Sequence, residues 1–389
     1  MKRLTLLLLG LALGVTATAK AQGLTMQMSN GWSFAFSGNV NAFWVFSSDS
    51  TKASKNSSVR TGLLPAFATF EARGKESGMN LGIHFGFAPQ IQNAGNAHDQ
   101  FGANIDMRQV YLTIGGQWGQ ILAGRELALF QRQNILSDMT LFGVGAVGDP
   151  QGGGTTLGRI GYGYIYPNFN AQVTYSSNPK NPAQLSIGLF QPSVFGGFGV
   201  TKIPRLEAEG TWHQTQGKTK YMVWVGGEWQ TTSNAADSSV SSVGGTAGVK
   251  VDLQDLSVVV NGYVGSGIGT TFGFSPDAVA NGTNKRKSDG GIVQVSYTAN
   301  KKTTVGASWG FSRLKGAGTT STDGTDAPLG QVSLYTVGVY HQWTKSLKLV
   351  FEGSREINAH IGTSAILRGA VGVPPLNRTL LSGGFMLFF

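Results

Sequence analysis

The sequence predicts an all-β chain closed into a transmembrane antiparallel β-barrel, and three observations carry that prediction. The last nine residues alternate, with Leu381, Gly383, Phe385, Leu387 and Phe389 on one face of a strand and Ser382, Gly384, Met386 and Phe388 on the other. An early segment alternates in the same way: Trp32, Phe34, Phe36, Gly38, Val40, Ala42, Trp44 and Phe46 lie opposite Ser33, Ala35, Ser37, Asn39, Asn41, Phe43 and Val45. Beyond its N-terminal stretch the chain has no run of about 18 uncharged apolar residues, so any membrane crossing falls to strands. An uncharged apolar strand at a chain end is an aggregation template unless it is paired. Pairing it with the first strand closes the sheet, and closure lets a β-structure satisfy its backbone hydrogen bonds inside a bilayer. The other reading of the same pattern is the closing strand of a soluble sandwich or barrel.

The totals agree. Residues 1–21 read as a secretory signal peptide, with Lys2 and Arg3, an apolar run over 4–15, and Ala19-Lys20-Ala21 as a small-x-small cleavage site. Removing 21 residues from 389 leaves 368, which makes 22–389 a single large barrel domain. With 57 Gly and 13% charged residues the composition suits two-sided strands, and zero Cys excludes a disulfide framework. Of the formal charge of +10, three positive charges (Lys2, Arg3 and Lys20) belong to the signal, leaving about +7. A basic balance points to nucleic acid, anionic lipid or anionic solute, and export makes nucleic acid the poorest fit.

Taken in order, the first strand leads to a Ser/Lys-rich loop over 47–62. Leu64, Ala66, Ala68, Phe70 and Ala72 then face one way, with Thr69, Glu71 and Arg73 on the other side. A short turn gives a return strand with Ile83 and Phe85 outward and His84 inward, and a long polar loop follows over 88–106. The rhythm of long loop, strand, short turn and strand continues through residues 109–126.

The stretch 108–125, Arg-Gln-Val-Tyr-Leu-Thr-Ile-Gly-Gly-Gln-Trp-Gly-Gln-Ile-Leu-Ala-Gly-Arg, resembles the strand, glycine turn and Gly-Arg strand that precede the constriction loop of Gram-negative trimeric porins. The terminal strand with Phe389 is similar to the C-terminal signature of bacterial outer-membrane barrels. The resemblance implies a long inward-folded constriction loop, here 127–158, a homotrimer, and residence in the outer membrane. The familiar Pro-Glu-Phe-Gly-Gly tip of that loop is missing, and Thr140 to Gly145 stands roughly in its place.

Residues 159–177 read two ways. Ile160, Tyr162, Tyr164 and Tyr166 share a face before Pro167, and Ala171, Val173 and Tyr175 resume after it. Two strands here would give 17 in all. Two chain ends on the same side demand an even number, and residues 178–182 look like a short turn, so the segment is merged into one crossing and the expected count is 16, with 18 possible. Alternation is plain in the later strands, and Trp32, Trp44, Trp118, Trp229, Trp309 and Trp343 fall at strand ends, as interfacial girdles require. The triplet Lys285-Arg286-Lys287 reads as a solvated loop cluster, with lipopolysaccharide headgroups as the functional alternative.

For enzyme chemistry the sequence offers little. Its five His have no metal-ligand spacing, and His98-Asp99 is a lone dipeptide in a polar loop. There is no Gly-x-Ser-x-Gly elbow, and Gly152-Gly153-Gly154 lacks the Lys-Ser/Thr of a phosphate loop. No metal or cofactor is expected. By strand parity or loop position, Glu71, Arg73, Arg125, Arg132, Asp138, Arg159 and Lys250 are candidates for the pore lining. Arg108 is a further one, although its parity matches outward Val110 and Leu112. In the family that the sequence resembles, an arginine ladder faces acidic groups on the loop, and these residues are the local match. Bracing of the loop by each arginine is the structural alternative. The expected function is a passive outer-membrane diffusion channel for small hydrophilic solutes that prefers anions through Arg125, Arg132 and Arg159. The alternatives are a porin selective for organic anions such as dicarboxylates, and a non-conducting barrel acting as enzyme or adhesin. The trimer expectation draws on Ala66, Ala68 and Ala72 beside Phe70, small residues that permit close packing in lipid.

Overall fold

The computed structural model describes residues 23–49, 55–91, 105–148, 154–194, 198–274, 278–280, 283–320, 323–360, 366–367, 370–371 and 377–389. The signal-peptide expectation for 1–21 and the His98-Asp99 dipeptide lie outside them. Almost all regular structure is β. The first half contains β1 (Leu24–Gln27), β2 (Ser33–Asp49), β3 (Lys55–Arg60), β4 (Phe67–Glu76), β5 (Met79–Pro89), β6 (Ile105–Gly116), β7 (Gly119–Leu127), β8 (Phe169–Ser176), β9 (Ala183–Phe190) and β10 (Arg205–Gln216). The second contains β11 (Thr219–Ser233), β12 (Ser239–Leu253), β13 (Leu256–Ser266), β14 (Lys287–Ala299), β15 (Thr303–Thr320), β16 (Asp323–Gln342), β17 (Leu347–His360), the short pair β18 (Ile366–Leu367) and β19 (Ala370–Val371), and β20 (Arg378–Phe388). Sixteen of these form a closed antiparallel barrel, as the merged reading expects, with β1 and β3 as additions to its sheet.

Closure runs from Asn39 opposite Phe388 to Asp49 opposite Arg378. Gly38 and Phe389 add two backbone bonds of 3.0 and 3.1 Å, and β1 pairs with β2 beyond the end of β20. The terminal apolar strand is thus fully partnered. Short turns gather at one end of the barrel and long connections at the other. Outward side chains are the apolar ones that parity predicts, among them Val40, Trp44, Phe351, Phe385 and Leu387, all exposed. Among the described residues no helix is long and apolar enough to cross a membrane.

Two regions depart from the sequence expectation. Leu64 and Ala66 do not face outward; they are 8% and 2% exposed, because residues 61–66 leave the wall and bend into the barrel. There Leu63 and Leu64 donate their N–H groups to Gly143 and Leu141 at 3.0 and 3.1 Å. The gap between β3 and β4 is filled by two side-chain amides of β2: Asn41 donates to the Leu64 carbonyl at 3.0 Å and accepts from the Gly62 N–H at 2.9 Å, and Asn39 donates to the Pro65 carbonyl at 3.2 Å. Unpaired backbone groups inside the wall would be costly, and these amides satisfy them.

The second region is 159–168. Its alternation suggests a strand, yet Tyr162 and Tyr164 are 0% exposed and their even-numbered run is covered on both sides by other chain. The wall crossing is only β8, and the connection between β8 and β9 is a short turn. The inward segment, described over 128–148 and 154–168, therefore extends past the expected end at 158.

Candidate functional site

The inward loop travels around the inside of the wall, held by wall side chains of inward parity and by main-chain groups. It begins with Phe130, whose N–H donates to Glu207 on β10 at 2.7 Å. A one-and-a-half-turn helix, α1 (Arg132–Ser137), follows, with Arg132 paired to Glu209 and Gln133 donating to the same carboxylate at 3.0 Å. Asn134 accepts from the Trp224 indole at 2.7 Å and donates to Thr246 at 3.0 Å, which ties α1 to β11 and β12. The sequence then supplies Asp138 as N-cap of a short 3₁₀ turn, Met139–Phe142; its carboxylate accepts from the Thr140 N–H at 2.9 Å, the bond that makes Asp a favoured cap.

Beyond the turn, Glu352 of β17 accepts from the N–H groups of Val144 and Gly145 at 2.9 and 2.8 Å, while Tyr340 donates its hydroxyl to the other oxygen at 2.6 Å. Gly143 is required at this point, since a Cβ there would run into the Glu352 carboxylate. The return path is held by Arg159. Its Nη1 donates to the Leu334 carbonyl at 2.8 Å, and its Nη2 to the Ser308 carbonyl at 2.9 Å and to the Ser308 hydroxyl. Asp138 joins the two ends of the loop, accepting from the Arg159 N–H at 3.2 Å and from the Tyr164 hydroxyl at 2.9 Å. Apolar packing completes the loop: Ile135, Leu141, Val144, Ile160 and Tyr164 form one cluster with wall residues Phe43, Val332 and Val350.

Against this geometry the eight expected pore residues separate. Glu71 and Arg73 face the interior from β4 and pair with each other, and His84 Nδ1 lies 3.0 Å from Glu71. Lys250 also faces the interior and is part-exposed, 3.8 Å from Asp252. Arg132 is inside, in its ion pair with Glu209. Asp138 and Arg159 meet each other, but both are enclosed. Arg159 is 0% exposed, so its guanidinium braces the loop and is withdrawn from water. Arg108 sits at a register shift between Gly86 and Phe87 and is bound to Asp106 at 2.8 Å, over the Phe169 ring. Arg125 lies opposite Val110 and Ala171, on the outward parity shared with exposed Leu112 and Ile121. The expected convergence of Arg125, Arg132 and Arg159 is therefore corrected. Arg132 reaches β10, Arg159 reaches β15 and β16, and Arg125 takes the other face of the wall.

Sequence reasoning missed Lys348 and Glu352. Their neighbours Leu347, Leu349 and Phe351 are the outward set of β17, so the intervening residues were available by parity. Lys348 sits 4.1 Å over the Phe142 ring and has no carboxylate partner among the described residues. No group of three or more His, Cys, Asp or Glu placed to hold a metal occurs among them either.

A family profile described as Gram-negative porin matches residues 6–358. No curated protein matches the chain. Among solved structures, the outer-membrane channel DcaP of Acinetobacter baumannii superposes with a TM-score of 0.67 at 13% identity, over 94% of this chain and 99% of that one. An anion-selective porin from Comamonas acidovorans gives 0.66 at 12% identity, over 92% and 100%. The trimer form of Vibrio cholerae OmpT gives 0.54 at 14% identity, over 92% and 100%.

Proposed function

The chain belongs to the Gram-negative porin family and is a diffusion channel of the bacterial outer membrane, and from that premise we propose that it passes small hydrophilic solutes with a preference for anions, through an opening narrowed by the loop 128–168. One observation carries the anion preference: inward carboxylates and inward cations are not neutralised to the same degree. Glu209 is paired with Arg132, Glu352 is bonded to two loop N–H groups and Tyr340, and Asp138 is enclosed at the loop junction. Part-exposed Lys250 stands 3.8 Å from its acid, and Lys348, 7% exposed, lies against an aromatic face with no carboxylate partner among the described residues. In a narrow, low-dielectric passage a few such cations raise the local anion concentration far more than the same charges on an open surface. The similarity to the Comamonas porin supports this reading at the level of the fold.

The element that opposes it is on β10 and β11, where Glu207 and Glu228 lie opposite each other beside a single Arg205. The reversal potential under a KCl gradient decides between the two. Anion preference that falls in the double variant Lys250→Ala, Lys348→Ala supports the proposal. Cation preference in the wild type transfers control to Glu207 and Glu228.

The assembly is proposed to be a homotrimer, in keeping with the family and with the trimer form of the Vibrio protein. Ala68 and Ala72 remain on the outward parity of β4, although Ala66 does not. Migration of the unheated protein as a monomer in gentle detergent would contradict it.

A further inference from the structure

Among the described residues, the hydrogen bonds and ion pairs that the inward loop makes to the wall fall on β3, the in-bent 61–66, β10 to β12, β14 to β17 and β20, and none falls on β4, β5 or β6. That bare sector carries a polar chain of its own. Glu71 on β4 lies 3.0 Å from Nδ1 of His84 on β5, and Nε2 of the same ring lies 3.3 Å from Oε1 of Gln109 on β6. Gln109 in turn donates through Nε2 to Glu126 on β7 at 2.6 Å. The other Glu126 oxygen accepts from the N–H of Leu127, the last residue of β7, at 2.7 Å. Gly86 leaves room for this line, since a Cβ there would stand 2.6 Å from Oε1 of Gln109, and Tyr111 stacks on the His84 ring at 4.6 Å. Four strands thus join the inner wall to the point where the loop begins.

The two ends of the chain fix the protons within it. An ionised Glu126 only accepts, so the Gln109 nitrogen has to face it and the Gln109 oxygen has to face His84. An ionised Glu71, paired with Arg73, likewise only accepts. Each ring nitrogen of His84 therefore meets an acceptor, and only the doubly protonated imidazolium donates from both. Loss of one proton sets a lone pair against an oxygen. Turning the Gln109 amide over would relieve that at His84 and set the amide oxygen against Glu126 instead. The charged and titratable groups that face His84 are Glu71 and Arg73 from β4, Tyr111 from β6 and Glu126 from β7, and Arg132 of the loop faces Glu126.

We propose that His84 is a positioning residue through which the channel responds to pH: as an imidazolium it holds Glu126, through Gln109, on the Leu127 N–H where the inward loop begins, and as a neutral ring it releases that hold. Histidine side chains change charge between about pH 5 and 8. Acid therefore steadies the entry of the loop and adds one positive charge to the bare sector, and both are lost as the pH rises. Selectivity shifts toward anions as the pH falls. The inference rests on the channel reading, not on which ion the wild type prefers.

The test uses the full protein in planar bilayers, with the reversal potential under a KCl gradient and the rate of brief closures read at about pH 5 and about pH 8. In the wild type the anion-to-cation permeability ratio is expected to be about twofold higher at the acid pH, with fewer closures. His84→Gln does not titrate and should give one ratio at both. His84→Lys keeps a cation that donates to both acceptors and should hold the acid behaviour at both. Gln109→Ala should keep the change in ratio and lose the change in closures, because it cuts the chain and spares the charge. A wild-type ratio that does not move with pH, a wild-type profile in His84→Gln, or a profile that disappears in His341→Gln would overturn the proposal. Ring 15N shifts of His84 in the wild type need no variant: two protonated nitrogens are expected at acid pH, and a neutral ring there would place the proton on Glu126 and overturn the assignment. A cation-preferring wild type whose ratio still follows His84 would refute the anion preference proposed above and support this inference.

Discussion

Arg159 and Lys348 both bring a positive charge to the barrel interior, yet their surroundings differ in kind. Arg159, 0% exposed, has three oxygen acceptors on β15 and β16; Lys348, 7% exposed, has one aromatic ring on the loop and no carboxylate partner among the described residues. The first has its two Nη groups committed to the Leu334 and Ser308 carbonyls and the Ser308 hydroxyl. The second keeps a charge whose field is not cancelled nearby. A cation on the inner wall therefore counts toward selectivity only when its neighbours leave its charge uncompensated, and residue type alone does not tell which.

The largest effect that would break this comparison lies at Arg159. Arg159→Ala removes every donor of the guanidinium and should destabilise the loop by about 3–5 kcal/mol, the range for breaking a buried charged network. Its signature should be a lower temperature for loss of the unheated, folded gel band and noisier single-channel current. The reversal potential should stay close to the wild type, and a large shift would mean that Arg159 governs ions after all.

Glu352→Gln comes next. It keeps the shape but weakens the acceptor for two N–H groups and the Tyr340 hydroxyl, so about 2 kcal/mol should be lost from the loop anchor. Gly143→Ala should disturb the same latch from the loop side, by collision with the Glu352 carboxylate. Protease nicking near residue 148 reads both, and resistance equal to wild type in both variants would remove Glu352 from its anchoring role.

Lys348→Glu sharpens the other half of the comparison. Reversing this charge should lower the anion-to-cation permeability ratio by about fivefold, and, because Lys348 is buried and shares its strand face with Glu352, thermal stability should fall as well. The smallest effect is expected at Arg125→Ala. On the outward parity it should leave the reversal potential where it was, and a shift matching that of Lys348→Glu would return Arg125 to the lumen.

Much of the fold was legible because a membrane barrel writes its geometry into the sequence with a period of two. Alternation fixed which faces of β2, β14, β15 and β20 meet lipid, and the terminal Phe389 found its partner in Gly38 of the first strand. The parity of the whole barrel settled the count of sixteen where one segment was ambiguous. Those inferences are local or follow from closure, and the bilayer enforces both by leaving no backbone group unpaired.

What the sequence could not determine is where the inward loop docks. Periodicity says nothing about a segment covered on all sides, so the alternating Ile160, Tyr162 and Tyr164 imitated a strand, and Leu64 and Ala66 imitated its neighbour. Arg125, Arg132 and Arg159 lie within 35 residues of one another in the chain, which suggested convergence; the loop's path around the wall separates them. Glu209, Ser308 and Glu352, which receive that loop, are distant in sequence, and Lys287 meets Lys315 only through the ladder. Strand faces were therefore settled by the sequence, while the partners of each charge, and hence the difference between a brace and a free field, were settled only when the barrel closed around its own loop.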